Sequence, residues 1–191
     1  MKTLIPKSIS GFEALLGQPY KQHRFAIDCA KMPGYDDYHH RNNGNKGNLT
    51  DLFQSLTRIK TPVIYWFEFD AAVYVPQQLK LVEQYRKKQK RLSKKSGRVV
   101  PLPNTNGAGR ILYVGKRLGG SAKDGFTHAS GRIEMHLGYN TNCANQGLQL
   151  CHWCEARLTL NIIQLPKSAA RYLTILEQLF AIELTPRLGR H

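Results

Sequence analysis

Apolar and polar positions follow two different periods along the chain. Val63 to Val75, after Pro62, is dense in β-branched and aromatic residues and reads as a strand, or two, ended by Pro76. Arg110 to Arg117 reads as a second strand. Gln149 to Leu165 reads as a third, interrupted by a turn or bulge near Glu155 and Ala156. Helical spacing appears in Leu49, Leu52, Phe53 and Leu56, predicting a helix from a cap at Asn48 or Thr50 to about Ile59. Gln77 to about Ser93 has helix-forming composition, and Ala129 to about Tyr139 is helix-compatible, with Arg132 and His136 one turn apart on one face. Ser168 to Leu184 is the clearest helix: Ser168 caps it after Pro166, Leu173, Leu176, Leu179, Phe180 and Leu184 form its stripe, and Pro186 stops it. Residues 34–48, 96–109 and the glycine-rich 119–125 read as loops.

The order strand, strand, helix, strand, helix predicts an α+β domain with a small, mostly antiparallel, three-stranded sheet flanked by helices. Residues 1–61 form an N-terminal extension. Residues 62–191 form the main domain, and a basic helical insertion at about 77–109 separates the first two strands.

The chain has 191 residues, enough for one domain with a real core, and 28 Lys and Arg against 13 Asp and Glu, a formal charge of +15. No apolar run is long enough to span a bilayer, and Met1 to Ser10 lacks a signal-peptide core, so the expected location is cytoplasmic. Four cysteines are too few for a disulfide scaffold. The charge is concentrated between Lys80 and Arg98, where nine basic residues accompany one acid, Glu83. A block of this kind binds phosphate through counterion release, which makes Arg86, Lys87, Lys88, Lys90, Arg91, Lys94, Lys95 and Arg98 candidate nucleic-acid contacts. The bland alternative is a solvated helix face.

Most familiar chemistry is missing. The chain has no GxxxxGK[ST] loop, no HExxH, no GxSxG and no GxGxxG after a strand. A zinc site can be drawn through Cys143, Cys151 and Cys154, but a CxxC within a strand points its sulfurs to opposite faces, so structural cysteines are the expectation. Asp36, Asp37, His39 and His40 could hold a metal, yet adjacent residues of a polar loop are more often solvated.

One connected pattern remains: Tyr65 in the first strand, Tyr113, Gly115 and Lys116 in the second, Arg132 and His136 on the next helix, and Glu177 nine residues before Pro186 on the last. In order, element type and spacing it resembles the signatures of the GIY-YIG nuclease family, and the resemblance covers residues 62–191. It departs from the family in having Val63 where the name has Gly, the two tyrosines 48 residues apart, a long gap from Lys116 to Arg132, and Gly189 where many members have Asn. Neither Asn145 nor Asn161 is an obvious replacement for that Asn.

The resemblance implies a Mg²⁺- or Mn²⁺-dependent endonuclease that hydrolyses double-stranded DNA. Glu177 would be the metal ligand, Arg132 and Lys116 would neutralise the phosphate, and Tyr65 would be the general base beside Tyr113; His136 is the competing base or an orienting partner. A phenol titrates near 10, so Tyr65 needs neighbouring cations to serve. Compact members with elaborate insertions look most like Type II restriction enzymes; a toxin or mobile-element nuclease is the biological alternative. The insertion would grip DNA, the N-terminal extension would contact DNA or serve as a dimerisation element, and a double-strand break calls for a homodimer or successive nicks. A non-catalytic nucleic-acid-binding protein on the same scaffold is the reading from a different class, and an RNA-binding module a third.

Overall fold

The computed structural model describes residues 10–14, 17–18, 20–40, 47–92, 100–121, 127–140 and 146–189, with the side chains of residues 40 and 90–92 outside that set. Among the described residues the main elements follow in the order β1 (Lys21–Asp28), α1 (Tyr35–His40), α2 (Thr50–Leu56), β2 (Val63–Phe69), α3 (Val75–Leu92), β3 (Ile111–Arg117), α4 (His128–Leu137), β4 (Arg157–Gln164) and α5 (Leu173–Leu184). The strands form one antiparallel sheet in the order β1-β4-β2-β3. No helix among the described residues is long and apolar enough to cross a membrane.

The α+β class holds, but the sheet has four strands, not three. The fourth comes from the N-terminal extension, whose residues Lys21 to Asp28 pair along their whole length with β4. As an edge strand β1 buries only Ile27 fully, and with Phe25 as its one other large apolar residue it carries a weak strand signal in sequence. Pro76 also differs from expectation. The strand ends at Phe69, and Pro76 lies in the first turn of α3, where its missing N–H has no helical partner to lose. Tyr35 to His40, expected as loop, is a short helix.

Apolar side chains fill both faces of the sheet. On one, Tyr65, Phe67 and Phe69 of β2 and Leu158, Leu160 and Ile162 of β4 pack with Leu52, Phe53 and Leu56 of α2 and Ile133 and Leu137 of α4. On the other, Ile64, Val114 and Ile163 pack with Leu173, Leu176 and Ala181 of α5. The β2–β3 register shifts between Phe67 and Glu68, whose partners are Tyr113 and Ile111, leaving Leu112 as an extra residue. That bulge puts Leu112 and Tyr113 in contact with the same core as Tyr65.

Both ends of α4 are fixed, which sets the phase of Arg132 and His136. Thr127 accepts from the Ser130 N–H and Ser130 accepts from the Thr127 N–H, a reciprocal cap, while Gly138 closes the helix at φ 105°. The cap predicted at Ser168 does not start α5: residues 167–172 form 3₁₀ turns, and the α-helix begins at Leu173. Beyond Pro186 the chain returns to the free edge of β3, where the Arg187 and Leu188 N–H groups donate to the Ile111 and Leu112 carbonyls. Gly189 follows, buried and at φ 114°, a conformation that asparagine rarely adopts.

Candidate active site

Tyr65 is the centre of the site. It lies on the second strand from the sheet's β3 edge, 1% exposed, and its cross-strand partner is Gly115. That pairing is a matter of space. A Cβ built on Gly115 would lie 2.5 Å from the Tyr65 phenol oxygen and 2.9 Å from a ring carbon of Tyr113, so glycine is what lets the two rings share this part of the sheet. Gly115→Ala is therefore expected to cost about 1–3 kcal/mol of stability, as overpacked cores do, and to displace the Tyr65 hydroxyl. Chemical denaturation measures the first effect.

The protonation of His136 follows from its neighbours. The Leu148 N–H donates to His136 Nδ1 at 3.2 Å, which assigns the proton of the neutral ring to Nε2. Nε2 then donates to the Tyr65 oxygen at 2.8 Å. The Arg132 Nε–H donates to that same oxygen at 3.2 Å. With two N–H groups on its oxygen, the phenol must point its own hydrogen elsewhere. His136 is fully buried, and burial, aided by the Arg132 charge, holds its pKa well below the ordinary 6.5.

The same depression makes His136 a source of acid sensitivity. An unfolded imidazole takes up a proton below about pH 6.5 while the folded one does not, so stability present above that pH is lost as pH falls toward the depressed folded value. His152, also lowered by burial, acts in the same direction. In His136→Gln, whose amide N–H can still reach Tyr65, the melting temperature is expected to fall less steeply between pH 7 and 5 than in the wild type. Melting curves across that range give the comparison.

The two phenols share one guanidinium: Arg132 hydrogen-bonds Tyr65 and Tyr113 alike. Burial pushes both phenols above their usual range and the Arg132 charge pulls the other way. The Glu177 carboxylate also raises both, which places the acid of α5 within electrostatic reach of them. Glu177 is bonded through Oε2 to the Lys116 ammonium at 2.6 Å, and the same ammonium donates to Thr174 Oγ1 at 3.0 Å. Tyr65, Tyr113, Arg132 and His136 thus form one hydrogen-bonded group on one face of the sheet, while Lys116 and Glu177 form an ion pair at α5. Tyr113 of the first group and Lys116 of the second stand three residues apart on β3, the edge strand.

Thr174 and the Leu148 N–H were not singled out in the sequence. Thr174 stands three residues before Glu177, so the i, i+3 neighbourhood of a helix would have flagged it. Nothing local marks Leu148, which lies 12 residues beyond His136 in an irregular segment.

The other expected residues fall out differently. Arg86, expected to contact phosphate, is instead buried: it sits one turn beyond Val82 on the inward face of α3 and pairs with Glu83 at 2.7 Å. Lys87 and Lys88 are exposed on that helix, whereas Lys94, Lys95, Arg98 and the side chains of Lys90 and Arg91 lie outside the described residues. Cys151 belongs to a 3₁₀ turn over Leu150–His152 and Cys154 follows it, so strand alternation does not separate their sulfurs as expected. Cys29, from the end of β1, hydrogen-bonds Cys154, and that contact together with burial pushes its thiol far up; Cys143 lies outside the described residues. His39 Nε2 lies 2.7 Å from the Tyr139 carbonyl, to which it donates, and the side chain of His40 is outside the described set. Among the described residues, no group of three or more His, Cys, Asp or Glu is disposed to hold a metal.

Comparisons with protein-family models, curated proteins and solved structures gave no match to this chain.

Proposed function

We propose that this chain is a divalent-metal-dependent endonuclease of GIY-YIG type, cutting one DNA strand per site, with Type II restriction as its setting. The observation that carries the reading is the Tyr65 phenol oxygen, fully buried in the sheet and accepting N–H bonds from both His136 and Arg132. A structural tyrosine needs one partner; here burial raises the phenol while the Arg132 cation and its hydrogen bond pull it back toward ionisation.

The residues fit a hard divalent ion. Among the described residues only one oxygen of Glu177 is engaged, by Lys116, and a single carboxylate suits Mg²⁺, which keeps much of its water shell. When bound, such an ion supplies Lewis-acid stabilisation of the leaving oxygen.

The protein's own groups divide the remaining work. Tyr65, as phenolate, takes a proton from the attacking water at its oxygen while that water forms the new bond to phosphorus, and the P–O bond to the sugar on the opposite side breaks, its oxygen leaving to take a proton from solvent. His136 donates to Tyr65 and so steadies the phenolate; the proton on its Nε2 excludes it as the acceptor in this tautomer. Arg132 reaches past the phenols with its remaining N–H groups toward the non-bridging oxygens, a planar cation suited to that geometry. Lys116 adds a second positive charge at the β3 edge. Lys87, Lys88 and the rest of the basic block, apart from the buried Arg86, hold the DNA backbone without reading its sequence.

The test is to incubate unmodified genomic DNA with the protein in Mg²⁺ or in EDTA and to sequence the ends. New ends sharing a terminal sequence, formed only with the metal, are expected. Retarded DNA with no new ends in Mg²⁺ or Mn²⁺ would instead support the non-catalytic binder.

A further inference from the structure

The ion pair between Lys116 and Glu177 occupies the carboxylate that the proposed chemistry needs. Lys116 Nζ stands 2.6 Å from Glu177 Oε2, the Glu177 side chain is 17% exposed, and the ammonium has a second acceptor ready in Thr174 Oγ1 at 3.0 Å. Thr174 and Glu177 are three residues apart on α5, so the ammonium can shift from the acid to the hydroxyl with a small rotation of its own flexible stem. We propose that Lys116 is a built-in cation that competes with the divalent metal for Glu177, and that Thr174 is the positioning residue that receives the ammonium when the metal displaces it. This rests on the nuclease reading of the site.

The consequence is a site with weak metal affinity on its own, which tightens when a phosphate arrives to accept Lys116 instead. Without nucleic acid, Lys116 neutralises the acid; with a phosphodiester beside β3, the ammonium has an anionic partner and Glu177 is freed. Metal binding and DNA binding are then mutually reinforcing through one side chain.

The experiment is Mn²⁺ binding followed by electron paramagnetic resonance, without DNA, on the wild type, Lys116→Met, Thr174→Val and Glu177→Gln. Cleavage of genomic DNA in Mn²⁺ is measured on the same preparations, and melting curves confirm that each variant is folded. Met approximates the lysine stem in length and shape and removes the ammonium with its charge and N–H donors. Lys116→Met is expected to bind Mn²⁺ about tenfold more tightly than the wild type while cutting DNA more slowly. Thr174→Val, which leaves the ammonium no rest but Glu177, is expected to bind Mn²⁺ a few-fold more weakly. Glu177→Gln is expected to lose the site.

Unchanged or weaker binding in Lys116→Met overturns the competition. If the wild type still cuts DNA in Mn²⁺ and Glu177→Gln does not, the nuclease reading survives that result. If the wild type neither binds Mn²⁺ through Glu177 nor cuts, both fall together.

Discussion

Glu177→Gln is expected to reduce DNA cleavage in Mg²⁺ about a thousandfold or more while leaving the fold in place. The amide keeps the shape and one oxygen of the acid, but not the charge that a divalent cation or the Lys116 ammonium requires. Losing a single electrostatic contact to a developing charge costs about a hundred- to a thousandfold, and loss of the metal's only carboxylate stands at the upper end. Stability should barely move. The Lys116–Glu177 pair is partly open to water, 30% and 17% exposed, and pairs of that kind are worth about 1 kcal/mol or less once solvent screening is counted. In a chain of this length that is about 2–4 °C of melting temperature. Cleavage rates and melting curves on one preparation separate the two effects.

Tyr65→Phe is expected to lose both function and stability. Removing a general base lowers rates by about a hundred- to ten-thousandfold. Here the hydroxyl is also the acceptor for the buried His136 Nε2–H and the half-buried Arg132 Nε–H, so its removal leaves both donors facing a ring edge. An orphaned buried donor costs about 1–3 kcal/mol, and a melting temperature lower by several degrees follows. The pH profile adds a test that a purely structural tyrosine would not meet. Because burial raises the Tyr65 phenol above its usual range, the phenolate fraction grows as pH rises, so wild-type cleavage is expected to climb through neutral pH into the alkaline range. The residual rate of Tyr65→Phe should lose that slope.

How much of this was legible in the chain depends on where the signal lay. Strands β2 and β3 and helices α4 and α5 carry dense apolar patterns because both faces of the central sheet are covered, so all four were legible, β3 and α4 close to their observed bounds, whereas β2 ends at Phe69 rather than Val75 and α5 begins at Leu173 rather than Ser168. Strand β1 was not: its burial does alternate from His23 to Ile27, but Phe25 and Ile27 are the only large apolar residues on its inward positions, too few to stand out in sequence. The turn at Cys151 was misplaced because apolar Leu148, Leu150 and Trp153 bury against the core from irregular backbone and imitate a strand. Arg86 shows the limit of reading charge: in a run of basic residues, composition does not reveal which one faces inward, whereas its spacing from Val82 does. Gly115 was read as part of a motif, but its physical role, making room for the Tyr65 ring, appears only when β2 and β3 are laid side by side. Likewise the tautomer of His136 is set by a main-chain group 12 residues away.

The claim on which everything turns is that Tyr65, held by His136 and Arg132, activates water against a phosphodiester bond. Digesting DNA with Mg²⁺ in H₂¹⁸O and weighing the new ends by mass spectrometry tests it directly. One ¹⁸O in each newly formed terminal phosphate, on ends free of protein, is the expected result. Ends joined covalently to Tyr65, or DNA left intact in every divalent cation, would contradict it.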